Sequence, residues 1–262
     1  ADYVIEKMTE AAQLKKPFFI LHNELLPHWP LVQTPQDRSL NREATMGNMI
    51  EYMDTLVGRI LKSVNELGIK DNTYVFFMGD NGLQVSLGKR TLYKNLRYGQ
   101  PGEKMHTRHT VKGNVDGAKS DLNDAGSHVP FIVWGPQSIP AGAVNQELID
   151  VVDLFETFCK LTATKHSVET DGRSIVNQIH GKEGPKRHWV HQGLPQGESI
   201  FDGQWRYLTK SEQLIDARQL PRERELKGSE LVESKDIIDR MKSLYNRIRS
   251  NGPAAPESVL RY

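Results

Sequence analysis

The sequence predicts an α/β fold: a mostly parallel sheet flanked by helices, then a small α+β subdomain with a short antiparallel sheet and a carboxy-terminal helix. Three observations predict it. Apolar runs of strand length alternate with stretches of helical periodicity, the order expected of a layered α/β domain. After Pro185, short strand-like runs crowd together between polar or glycine-containing turns. An amphipathic stretch follows them. The expected domains are 1–184 and 185–262.

The first element is KPFFIL (Lys16–Leu21), a short apolar run that reads as a buried strand, followed by the proline-rich loop LPHWPLVQTP. Between Asn41 and Leu67, Met46, Met49, Ile50, Met53, Leu56, Val57, Ile60, Leu61, Val64 and Leu67 recur at helical spacing. Gly68 is placed to stop that helix. TYVFFM (Thr73–Met78) is aromatic and β-branched and lies between DN and GDNG, so it reads as a second buried strand. Leu83–Lys119 has no sustained periodicity and is expected to be mostly loop, and loops of that length are uncommon unless functional or disordered. VPFIVW (Val129–Trp134) is a third strand and Asp150–Leu161 a second core helix. WVHQ, ESIF, WRYLT and QLID are the strands of the antiparallel sheet. The last helix, about Ser234–Ser250, gathers Ile237, Ile238, Met241, Leu244, Tyr245 and Ile248 on one face, and Asn251-Gly252-Pro253 stops it.

Composition narrows the function classes. The chain is 37% hydrophobic and 26% charged with a net charge of +1, so no global charge argues for a nucleic-acid partner. No apolar run approaches the roughly 18–20 residues of a membrane span. Cys159 is the single cysteine, which excludes an internal disulfide and a multi-cysteine metal site; its helical surroundings suggest a structural thiol. The chain starts with Ala and without the apolar core of a signal peptide, so the amino terminus is expected to have been cut or lost. No Asn-x-Ser/Thr sequon occurs, which favours a bacterial protein, periplasmic or secreted.

Three local signals carry chemistry. Gly79-Asp80-Asn81-Gly82 directly follows a strand, and ligand sites in α/β sheets lie at the carboxyl ends of strands. A carboxylate beside a carboxamide offers hard oxygen ligands for Ca²⁺ or Mg²⁺, although D-N-G is also a common turn sequence. Lys119 opens the run KSDLNDAGSHVP that leads into the third strand; a lysine upstream of a strand is usually solvated. His28, in Pro27-His28-Trp29-Pro30, suits anion binding or proton transfer, and equally suits packing on Trp29.

In this order the segments resemble the sulfatase family of the alkaline-phosphatase superfamily, over nearly the whole chain. Members read kPFF, then P-H-x-P, a helix with m-D-x-x-V-G-r-i-L, G-x-x-D-N-T before a strand ending in D-N-G, and K-x(5)-G-G-x-R-x-P. Here those elements are KPFFIL, PHWP, EYMDTLVGRIL, GIKDNTYVFFMGDNG and Lys119–Pro130. The helix at IPAGAVNQELIDVVDLFETFCKLT and the loop DGRSI match the close of the family's first domain, and DGQWRYLT…QLIDARQLPRE matches its second. The resemblance implies an incomplete alkaline-phosphatase-like fold. It also implies that Asp80 and Asn81 ligate a metal, usually Ca²⁺ with Mg²⁺ as the substitute, and that His28 and Lys119 contact the sulfate.

Two features depart from the pattern. His128 stands where relatives have arginine, and Asp124-Ala125-Gly126 where they have Glu-Gly-Gly. Neither C-x-P-x-R nor S-x-P-x-R, the motif whose Cys or Ser becomes the formylglycine nucleophile, occurs in these 262 residues. The Asp-Asp pair and K-x-H motif that complete the site in relatives are missing too. All lie upstream of KPFF in the family, so the chain reads as the carboxy-terminal part of a sulfatase, expected to be inactive alone.

Two alternatives remain at this point. A phosphodiesterase or phosphonate hydrolase of the same superfamily would carry Asp-His where this chain has Asp80-Asn81. A non-catalytic anion-binding half-protein is the other. The expected partner is a sulfated small molecule or polysaccharide. The segment Leu83–Lys119, with eight Lys or Arg against two acids, suggests a polyanion, with Lys94, Arg97, Lys104 and Arg108 as the contacting cations.

Overall fold

The computed structural model describes residues 1–28, 30–83, 107–110, 113–116 and 119–251. Along the chain come α1 (Asp2–Gln13), α2 (Pro35–Ser39), α3 (Met46–Glu66) and β1 (Val75–Met78). Next are β2 (Thr107–Thr110), β3 (Gly113–Asp116), the short α4 (Asp124–Ser127) and β4 (Phe131–Trp134). α5 (Asp153–Leu161) and α6 (Val176–Ile179) precede five strands: β5 (Val190–Leu194), β6 (Gly197–Phe201), β7 (Trp205–Leu208), β8 (Gln213–Gln219) and β9 (Arg222–Glu225). Helices α7 (Ser229–Glu233) and α8 (Lys235–Asn251) complete the described chain. These elements fall into two compact units that do not follow chain order: Ala1–Met78 with Pro130–Ile139, and Gly79–Leu83 with His106–Val129 and Pro140 onward.

In the first unit α1 packs on α3. Val4 and Met8 stand one helical turn apart and bury against Val64, with Ile5, Ile20, Ile60, Leu67, Ile69 and Trp134 around them. Thr45 caps α3 by accepting the Asn48 N–H at 3.1 Å. At the other end Gly68 takes φ 68°, the Gly68 N–H donates to Asn65 O and the Ile69 N–H to Val64 O. That is the Schellman closure, and it places the helix stop where the sequence predicts it. Thr34 and Asp37 exchange a capping box at the start of α2, and the Asp37 carboxylate also accepts from Asn48 and pairs with Arg42. Burial pushes the Asp37 carboxyl up, but the bonds from Thr34 and Asn48 and the Arg42 charge outweigh it and hold it below the ordinary value.

The α/β class holds, with three differences from expectation. The two strands of the first unit, β1 and β4, pair antiparallel, Val75 opposite Trp134 and Met78 opposite Phe131. Lys16–Leu21 forms no strand and joins no ladder among the described residues, and Phe19 and Leu21 are 69% and 76% exposed. A strand is buried only where a partner edge and a covering layer exist, and no described strand supplies that edge. Leu83–Lys119, expected to be mostly loop, contains the antiparallel pair β2–β3. Charged and polar residues dominate both strands, which hides them from an apolar pattern.

The second unit is built on a five-stranded antiparallel meander in the order β5-β6-β7-β8-β9. Ile200, Trp205, Tyr207, Leu214, Leu226 and Met241 form its core, and α8 lays Ile237, Ile238, Leu244, Tyr245 and Ile248 on it. This is the helix face read from the sequence. β9, with the sequence RERE, was not anticipated; its alternating charges suit an edge strand. Cys159 lies half-buried in α5. No helix among the described residues is long and apolar enough to cross a membrane.

Candidate functional site

β1 ends at Met78, and the next residues turn into a short loop that carries Asp80, exposed, and Asn81, half-buried. The Asn81 carboxamide donates to the Asp80 carboxylate, so the two polar groups sit side by side at the strand's carboxyl end. Gly82 explains why the loop lies where it does. Its φ is not in the left-handed region, so glycine is not there for a turn. A Cβ at this position would stand 1.9 Å from Ala125 O, so only glycine permits the approach to α4. The Gly82 N–H then donates to Gly126 O at 2.9 Å.

Lys119 is brought to the same place by its own backbone. Its N–H donates to Leu83 O at 2.9 Å, which closes the long sequence gap between the strand-end carboxylate and the lysine. The lysine is half-buried. Asp80, Asn81 and Lys119 therefore belong to one unit and are tied together through Gly82 and Leu83. His28 belongs to the first unit, where it is exposed and its N–H donates to Leu25 O. Lys94, Arg97 and Lys104 lie outside the described residues, as does the side chain of Arg108, whose backbone is in β2.

Oxygen donors from Asp80 and Asn81 suit a hard divalent cation. Ca²⁺ takes about six to eight such ligands, so these two residues fit part of a coordination shell. Among the described residues no group of three or more His, Cys, Asp or Glu gathers to hold an ion.

In the segment after Lys119, His128 takes its partner from the preceding helical turn. His128 Nδ1 lies 3.0 Å from Asp124 Oδ1, one turn back on α4, and Asp124 is buried. Asn123 caps the helix by accepting the Gly126 N–H. The Asp124 N–H donates to Glu223 Oε2 at 2.8 Å, and Glu223 Oε1 takes a 2.6 Å bond from Arg206 Nε, which is 3% exposed. Gln192 donates to Asp121 O at 3.0 Å and Gln196 to Ser120 O at 2.5 Å. These contacts were not found from the sequence; a glutamine and a glutamate on edge-like strands give no signal of a partner 70 to 100 positions away. Elsewhere in the unit an open groove of about 300 Å³ runs between Trp189 and α8, lined by Asp202, Arg240 and Arg247, and holds none of the predicted residues.

Comparison with known proteins bears on the family and the fold. Residues 1–164 match the Sulfatase family. N-acetylgalactosamine-6-O-sulfatase of Bacteroides thetaiotaomicron is 28% identical over 76% of this chain and 37% of its own length. Human arylsulfatase D is 28% identical over 66% of this chain and 27% of its own length. A solved sulfatase from the multiple-glycosaminoglycan metabolism of Bacteroides thetaiotaomicron superposes with a TM-score of 0.75, at 21% identity over 95% of this chain and 54% of that one. Ps i-CgsB in complex with k-i-k-neocarrahexaose superposes with a TM-score of 0.71, at 21% identity over 94% and 53%. The chain thus spans about half the length of these solved structures and less of the curated relatives. Since the family match takes in more than half of its residues, the chain belongs to the sulfatase family.

Proposed function

We propose that this chain supplies the metal-binding strand end and the sulfate-neutralising lysine of an enzyme that hydrolyses sulfate esters of carbohydrates. The observation that carries the reading is the Lys119 N–H bond to Leu83 O, which fixes the lysine backbone beside the Asp80-Asn81 loop. Asp80 and Asn81 would hold the cation, Ca²⁺ or Mg²⁺, which would supply Lewis-acid stabilisation of negative charge there. Lys119 neutralises charge that spreads onto the sulfate oxygens, and His28 serves the leaving oxygen. Hydrolysis breaks the bond between sulfur and the ester oxygen; the oxygen leaves as an alcohol and takes a proton. The nucleophile, a formylglycine, comes from polypeptide other than these 262 residues, which contain neither C-x-P-x-R nor S-x-P-x-R. A carbohydrate substrate is supported by relatives named for N-acetylgalactosamine 6-sulfate and by the neocarrahexaose complex. Asn81 stands against the phosphoester alternative, whose two-metal site calls for an imidazole ligand.

The test is turnover of a chromogenic aryl sulfate and of N-acetylgalactosamine 6-sulfate. The 262-residue chain by itself stays at background in excess Ca²⁺. In the complete protein Asp80→Ala and Lys119→Ala each lower kcat by about two to three orders of magnitude. Turnover by the isolated chain that vanishes on Asp80→Ala, or full activity of the complete Lys119→Ala protein, overturns the assignment.

A further inference from the structure

The main chain from Lys119 to Gly126 is attached in an alternating way. Its two ends hydrogen-bond the strand-end loop: Lys119 N–H to Leu83 O, and Gly126 O from Gly82 N–H, both at 2.9 Å. Its middle is attached to the five-stranded sheet at three successive points. Gln196, in the turn between β5 and β6, donates to Ser120 O at 2.5 Å. Gln192, on β5, donates to Asp121 O at 3.0 Å, and Ser199, 1% exposed, donates in turn to the Gln192 amide oxygen. Glu223, on β9, accepts the Asp124 N–H at 2.8 Å while Arg206 holds its other oxygen.

Ser120, next to the lysine, has φ 74°, a conformation that residues with a Cβ rarely adopt. Such a backbone persists only where its surroundings over-determine it, and strained residues of this kind cluster at functional sites. The carbonyl of this very residue is the one that Gln196 binds. The sheet thus grips the segment where its conformation is least favourable by itself, and both free ends of the gripped segment lead to the strand-end loop.

We propose that Gln192, Gln196 and Glu223 are positioning residues that set Lys119 and the Asp80-Asn81 loop through the Ser120–Asp124 main chain. The C-terminal sheet is then part of the catalytic apparatus without touching substrate. The proposal deepens the sulfatase reading and rests on it for its catalytic consequence, though not for its structural one. Each Glu223 carboxylate oxygen accepts one bond, Oε1 from Arg206 and Oε2 from the Asp124 N–H. A glutamine there would turn a donor toward one of them.

Two variants test it: Gln192→Ala with Gln196→Ala, and Glu223→Gln. The first touches no buried ion pair, so it keeps the test open if the second fails to fold. Arg240→Ala, which removes an ion pair with Asp202 away from the segment, is the control for general loosening. Amide hydrogen exchange of the chain is read first. The Gly82 and Lys119 amides exchange about tenfold faster or more in the double variant, while the β7–β8 ladder and the Arg240→Ala protein keep parental rates. Steady-state kinetics of the complete protein is read second: kcat falls about tenfold or more with KM nearly unchanged, the mark of lost transition-state positioning. Unchanged exchange at Gly82 and Lys119, or acceleration spread evenly through the sheet, overturns the proposal. If exchange changes as expected but Lys119→Ala leaves turnover intact, the positioning stands and the sulfatase assignment of the lysine falls. If Lys119→Ala abolishes turnover and the glutamine variant alters neither reading, the positioning falls alone.

Discussion

At the scale of single residues, the same amino acid has opposite meanings at two positions. Gly58 sits on the exposed face of α3, and a Cβ added there would meet nothing within 4 Å, so alanine gains helix propensity and clashes with nothing. Gly82 has the Ala125 carbonyl where its Cβ would be. Gly58→Ala should therefore raise the unfolding free energy by roughly 0.5–1 kcal/mol, and Gly82→Ala should lower it by about 1–3 kcal/mol. Denaturant titration of the two variants checks this, and equal shifts would show that the approach of the loop to α4 is not tight. Asp80 and Asn81 stand out in the sequence by residue type and by position after a strand, whereas Lys119 is singled out through the family resemblance alone. The role of Gly82 was not legible, since D-N-G reads equally as a turn until the Ala125 carbonyl is located. His128 was legible only as a departure; its partner Asp124 became evident once the residues between them were seen to form a helical turn.

Among the elements, most of those with an apolar period are legible in the sequence, with α1 the exception, and β9, which has none, is not. The α8 face and strands β5 to β8 came from spacing alone, because each buries a stripe or face against the sheet core. α1 was overlooked although Val4 and Met8 already mark its buried side, and β9 because its residues alternate between charges rather than between apolar and polar. Charge is what secures β8 at its far end. Arg218 grips Asp216 with a forked pair of bonds, Nε to Oδ1 at 2.9 Å and Nη2 to Oδ2 at 2.7 Å, and stacks 4.6 Å from the centre of the Trp205 ring. The Arg218 bonds push the Asp216 carboxyl down to about 2 against the effect of burial, with Arg224 adding to the pull. A carboxyl lowered on folding stabilises the fold above its unfolded value near 4, and that contribution disappears as pH falls from there toward 2. Arg218 is half exposed, so solvent screens the pair and keeps the contribution small. Asp216→Asn should thus melt below the parent at neutral pH, and the gap should close between about pH 4 and pH 2. A gap that stays constant over that range would mean the fork contributes nothing through its charge.

For the molecule as a whole, the sequence carries information that a near-neutral total conceals. The net charge is +1, yet Leu83–Lys119 holds eight basic residues and two acidic ones, +6, which leaves −5 for the remainder. This concentration is anchored at both ends to the candidate site, since Leu83 O receives the Lys119 N–H. Its hairpin strand β3 runs close to β9, the strand that carries Glu223. Under the proposed function, a basic stretch leaving and re-entering the site at one hydrogen bond raises the local concentration of a multiply charged substrate more than that of a singly charged one. The attraction is screened over about 8 Å at physiological ionic strength, so it weakens as salt rises. Lys94, Arg97, Lys104 and Arg108 are the residues to neutralise together, as glutamines, in the complete protein. A sulfated oligosaccharide should then show a KM raised about tenfold at low salt, with the difference from the parent shrinking as salt is added, while a monosulfated aryl ester changes little. Equal losses on both substrates would make the four cations part of the shared catalytic apparatus, and no loss on either would make the basic stretch irrelevant to substrate choice.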